Sequence, residues 1–215
     1  MENSIQGMVG GLSFDFGSFL GSIITLLSAW ILTHWQIKKS KDQEREFYIL
    51  REDDALSQRL LEKLWKIDAL RDQDYFLFLE SVADFVNENI MIKVMVFNKE
   101  DKEFIKALGL NEKTSLLAAE LGRFKNSRGD KGFEGLDQGI DDEKIKKVTK
   151  RIENSYEAVF LSSYLLKNYI QDRLSNEKGL MEKYKKDLEC LQSFLKSVGL
   201  GYACTILSFE STVLD

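Results

Sequence analysis

Few residues in this chain are of the kinds that carry chemistry, and their spacing restricts what they can do. The single histidine, His34, lies between Thr33 and Trp35. One imidazole removes Ser-His-Asp, Cys-His and His-based zinc chemistry within one chain, and at the edge of an apolar run it reads as a side chain at headgroup depth. Neighbouring carboxylates occur at Asp53–Asp54, Asp72–Asp74 and Asp141–Asp142. Each pair sits in charged sequence and is expected to be solvated, a poor setting for general acid–base work. The nearest approach to a metal-dependent nuclease is Glu100-Asp101-Lys102, after the β-branched run Ile90–Phe97 and with Asp84 upstream. Phosphodiester cleavage of that kind needs acids and a lysine gathered at a sheet edge. Without a second strand these residues are expected on a helix surface, so the expectation is no enzyme, no cofactor and no metal site.

Two further features are weighed the same way. The stretch KNSRGDKGFEGLDQG, residues 125–139, has four glycines from Gly129 on but lacks the GK[ST] ending of a phosphate loop, and Asp130 and Asp137 miss a calcium-loop spacing. It is expected to be a flexible connection between helical halves. Cys190 and Cys204 are far apart, with no CxxC step, and are expected to be free thiols, Cys190 on a helix and Cys204 in an apolar tail.

The element that places everything else is FGSFLGSIITLLSAWILTHWQI, residues 16–37, which contains no Asp, Glu, Lys or Arg. As a helix rising about 1.5 Å per residue it reaches ~33 Å, the thickness of a bilayer's hydrocarbon. Its apolar residues run all the way round, and the hydroxyls of Ser18, Ser22, Thr25, Ser28 and Thr33 can bond back to helix carbonyls. The expectation is one transmembrane helix. Residues 1–37 carry no Lys or Arg, unlike a cleaved signal peptide, and Lys38, Lys39, Lys41 and Arg45 follow at once. That asymmetry puts the short tail 1–15 outside and the rest in the cytoplasm of a single-pass protein of the cell membrane. Trp30, Trp35, Lys38, Lys39 and Lys41 are the expected interface anchors. Every fourth residue from Ser13, namely Gly17, Gly21, Thr25, Ala29 and Thr33, is small, with a GxxxG step at the start. Such a row lets two membrane helices approach closely, so Gly17, Gly21, Thr25 and Ala29 form the expected packing face.

Beyond residue 37 lie all 30 Lys and Arg and 33 of the 35 acids, a formal charge of −3. No basic surface for nucleic acid is expected. The chain of 215 residues contains no proline, and an all-α fold follows, since proline marks loops and strand edges. A juxtamembrane helical stalk is expected over 38–73, with Leu56, Leu60, Leu64, Ile67 and Leu70 on one face. A cytoplasmic helical bundle is expected over 74–215. Asp74 is read as the cap of a helix from Tyr75 with Leu79, Val82, Phe85 and Val86 inward, and 90–97, though β-branched, is kept helical for want of a partner strand. A helix 99–108 is expected to end at Gly109, another to be capped by Asn111 and to run through about Phe124. A long one opens at Asp141 to Glu143, and a last one, Glu177–Val198, is capped by Ser175 or Asn176. The segment LGYACTILSFESTVLD has too few uncharged residues in a row to cross a bilayer; it can pack on the bundle, add a strand or lie on the membrane.

These observations point to a membrane-anchored scaffold, adaptor or sensor. Its expected partners are lipid, itself or another membrane protein through the span, and a cytoplasmic protein. The alternative is an oligomeric membrane effector of the toxin, lysis or defence type, opened by a signal to its cytoplasmic domain; the absence of a polar stripe along 16–37 argues against an aqueous lining.

Overall fold

A computed structural model describes the backbone of residues 16–128 and 143–200, and their side chains from residue 21 on. Every regular element among them is an α-helix: α1 Phe16–Asp68, α2 Tyr75–Asn89, α3 Lys99–Leu108, α4 Leu110–Arg128, α5 Glu143–Leu174 and α6 Leu180–Ser197. The expected tail 1–15, most of the glycine-rich loop, the acids Asp141 and Asp142, Cys204 and the final apolar stretch lie outside the described residues. The chain divides into two compact units, one through Arg45 and one from Glu46, and α1 contributes to both.

In the first unit the described side chains of α1, residues 21–45, are all exposed. Leu26 is 70 % exposed and Trp30 67 %, and Ile24, Leu27, Ile31, Leu32 and Trp35 are similarly bare. Thr25 and Thr33 donate their hydroxyls to the carbonyls of Gly21 and Ala29, each at 2.8 Å. These bonds satisfy polar side chains within the helix. Among the described residues no helix is long and apolar enough to cross a membrane. The described part of the apolar run, 21–37, is shorter than the full 16–37. The all-α expectation therefore stands, and the span is left without support from the fold.

The second unit is a helical bundle around one core. The stretch expected as a stalk is, from Glu46 on, part of this unit: Leu60, Leu64 and Ile67, three and four apart, are buried on one face, and Leu50 and Leu61 are buried as well. Asp74 caps α2, accepting from the Leu77 amide at 3.0 Å, and Phe78, Leu79, Val82, Phe85 and Val86 turn inward. Tyr156 of α5 joins three helices. Its hydroxyl donates to the Leu64 carbonyl at 2.6 Å, its ring meets Phe78 edge-on at 5.2 Å, and the Arg71 guanidinium lies 5.1 Å from its centroid. A second aromatic group, Phe104, Tyr169 and Tyr184, ties α3, α5 and α6, with Phe104 and Tyr169 stacked.

Several boundaries differ from the sequence reading. The helix expected over 90–97 is not formed: α2 stops at Asn89 and the chain from Ile92 to Phe97 runs without regular structure. Asn111 caps nothing, because α4 already starts at Leu110 after the left-handed Gly109. The same α4 continues to Arg128, through the first residues of the expected loop 125–139. α6 begins at Leu180 after Gly179, whose φ of 69° suits a residue without Cβ. Neither Ser175 nor Asn176 serves as its cap. Asn176 is itself left-handed, at φ 57°, and the Ser175 hydroxyl bonds back to Gln171.

Candidate functional site

The residues expected to anchor a membrane edge are close to one another along α1. Lys39 places its ammonium 5.1 Å from the Trp35 centroid, and Trp30 stacks on His34 with centroids 5.6 Å apart. Lys38, Lys39 and Lys41 are exposed. The small-residue row is helical from Gly17 through Thr33, and a Cβ built on Gly21 meets nothing within 4 Å. That face is thus open to a neighbour.

Two acids dismissed as surface residues lie inside the bundle. Asp53, expected to be solvated beside Asp54, is 1 % exposed, and so is Asp101, expected on a helix surface. The signal in the sequence was the register: Asp53 precedes Leu60, Leu64 and Ile67 by seven, eleven and fourteen residues, on their face of α1.

Asp53 holds the irregular segment. The Met95 amide donates to Asp53 Oδ1 at 2.7 Å, and the Ile92 amide donates to Asn111 Oδ1 at 2.9 Å. These side chains supply what a neighbouring strand would have supplied, which is why Ile92–Phe97 can stay extended without a sheet. Ile92 is buried and Val94 and Val96 half-buried, whereas Met91, Lys93, Met95 and Phe97 point outward. This period of two belongs to an extended chain.

Asp101 is held from the other side. The Tyr169 hydroxyl donates to its Oδ1 at 2.7 Å, and Arg173 Nε lies 3.4 Å from the same oxygen. The Arg173 guanidinium also pairs with Glu46. One cation thereby serves two carboxylates from α1 and α3. The Oδ2 atoms of Asp53 and Asp101 have no hydrogen-bond partner among the described residues. Burial pushes the Asp53 carboxyl up to about 7; the Met95 amide opposes this, and repulsion from Asp101 and Glu52 adds to it. Burial, followed by the bond to Asp101, pushes the Tyr169 phenol up as well. Burial thus favours the protonated form of Asp53 well above the usual carboxylate range.

The arrangement does not gather a metal: among the described residues no three His, Cys, Asp or Glu side chains are placed to hold one. Asp84, Glu100 and Lys102 do not join Asp101 in a cluster. Asp84 borders surface hollows on α2, and Glu100 accepts from the Met181 amide. Cys190 is a free, exposed thiol. The extended segment borders a cavity of about 490 Å³ whose walls include Ile92, Val94, Ile105, Leu108, Leu110 and Leu166. A groove lined mostly by aliphatic side chains suits an apolar side chain or an extended peptide better than a polar metabolite.

Fold and site together define a helical bundle with an apolar helical extension and an extended segment beside a groove. Compared with known proteins, the chain matches no family model, no curated protein and no solved structure.

Proposed function

We propose that the protein is a single-pass membrane protein that acts by protein–protein association, anchored through residues 16–37 with its bundle in the cytoplasm. The observation that carries this reading is the bare apolar surface of α1 between Ile23 and Ile37. Large aliphatic and indole side chains on every side of a helix are at odds with water at ~25 cal/mol per Å² and compatible with lipid or with other helices. The five residues that precede Gly21, FGSFL, lengthen the run to the thickness of a bilayer. Lys38, Lys39 and Lys41 then set the bundle on the cytoplasmic side.

Within the membrane, Gly17, Gly21, Thr25 and Ala29 form the face through which the helix associates with a second copy or with another membrane helix. The open space beside Gly21 supports this, as does the satisfaction of Thr25 within its own helix. The bundle supplies surface for a cytoplasmic protein partner. Cysteine crosslinking in isolated membranes tests the reading, with Cys190 and Cys204 changed to Ser. Ala29→Cys is expected to give crosslinked product that Gly21→Leu abolishes, and Leu27→Cys, on the opposite side, is expected to give little. Equal crosslinking at both positions, or recovery of the chain in the aqueous fraction, would overturn it.

A further inference from the structure

We infer that the groove beside the extended segment Ile92–Phe97 is the docking site of residues 201–215 of the same chain, which add one strand along the edge that carries the Val94 and Val96 amides. The segment is already in strand geometry, with side chains alternating in and out from Met91 to Phe97. Two of its amides are held by side chains, Ile92 by Asn111 and Met95 by Asp53. Among the described residues the amides of Val94 and Val96, which share one edge, have no hydrogen-bond acceptor. An edge of this kind, flanked by exposed Met91, Met95 and Phe97, is the template that strand addition uses.

The choice of occupant rests on reach, direction and charge. The start of α6 lies on the start of α3: the Met181 amide donates to Glu100 at 3.4 Å, and Tyr184 meets Phe104 edge-on at 5.5 Å. The two helices advance together, so α6 is headed toward the Leu108–Leu110 end of α3, which walls the groove. The described chain ends on Leu200, which is fully buried. The fifteen residues that follow span ~50 Å when extended, ample for any path to the edge. Their sequence, GYACTILSFESTVLD, places Leu207 and Phe209 on one face of an extended chain and contains Glu210 and Asp215 with no Lys or Arg. The groove offers aliphatic walls and two cations, Lys93 and Lys106, against one acid, Glu112. An apolar, acidic strand is the complement of that lining.

The test uses the native Cys204 as one end of a short bis-maleimide crosslink in the full chain carrying Cys190→Ser. Cysteines placed singly at Lys93, Met95 and Phe97 are compared with one at Leu77, an exposed position on α2. Docking raises intramolecular product at one or more of the three at least about tenfold over Leu77, through a higher effective concentration, and Leu207→Asp with Phe209→Asp removes the difference. Hydrogen exchange follows the same variants: the Val94 and Val96 amides are protected in the parent chain and lose about tenfold of that protection in the double variant. Yields equal to Leu77, protection that the double variant leaves unchanged, or product that is intermolecular, as a second copy on the groove would give, each overturn the inference.

Discussion

The two parts of α1 belong to one unbroken helix and meet opposite fates. From Ile23 through Ile37 its apolar residues face outward on every side; from Leu50 on, apolar residues of the same types are buried along a single stripe. The difference lies in the residues between them. From Arg45 on, acids and bases fill the positions around Leu56, Leu60, Leu64 and Ile67, and a helix with one apolar stripe folds against a core. Residues 21–37 contain no Asp, Glu, Lys or Arg, and their described side chains are exposed. Hydrophobicity is shared by both parts; its angular distribution separates the buried stripe of one from the exposed run of the other.

The comparison can be broken at several points. The largest effect is expected from Leu64→Ala, which removes a fully buried side chain and costs about 3 kcal/mol of bundle stability in denaturant unfolding. Leu26→Ala, at an equally apolar but exposed position, is expected to change the same midpoint by less than ~0.5 kcal/mol. If the two substitutions cost the same, the contrast between the parts is lost. Tyr156→Phe comes next. It leaves the Leu64 carbonyl without its donor and is expected to cost about 1–2 kcal/mol, read in the same experiment.

The pH dependence of the bundle sharpens the contrast from the polar side. Asp53 keeps a proton in the folded chain up to about pH 7, whereas unfolded it releases that proton near pH 4. The folded state therefore binds more protons across this window, and the share of stability owed to Asp53 is complete below pH ~4 and lost as pH rises through about 7. Asp53→Asn keeps an oxygen for the Met95 amide and cannot ionise. Its thermal midpoint is expected to fall less than that of the parent chain between pH 5 and pH 8. A parallel decline in both would remove Asp53 from the account. Among the substitutions within the bundle the smallest expected cost is that of Asp74→Ala, about 1 kcal/mol from the lost cap of α2, read in the same unfolding experiment.

How much of this was legible in the sequence varied with the origin of each signal. Local signals are reliable: Asp74 before Tyr75 and Gly109 after Leu108 mark helix ends that depend on a few neighbouring atoms. The buried stripe of α2 was readable because its period is that of the helix. The segment after Asn89 was misread because a strand without a partner strand was taken to leave its amides unpaired. Asp53 and Asn111, 42 and 19 residues away in sequence, supply acceptors that no local window contains. Asp53 and Asp101 were misplaced for a related reason: burial of a carboxylate depends on Tyr169, Arg173 and the Met95 amide, all distant in the chain. Long-range polar contacts of this kind leave little trace in periodicity.

The most direct test of the central claim is the partition of the intact chain between membrane and aqueous phases after alkaline carbonate extraction, followed by protease treatment of sealed cells. The proposed anchor predicts that the chain stays with the membrane and that the bundle beyond Lys41 is protected from outside. Release into the aqueous fraction, or digestion of the bundle by external protease, would contradict it.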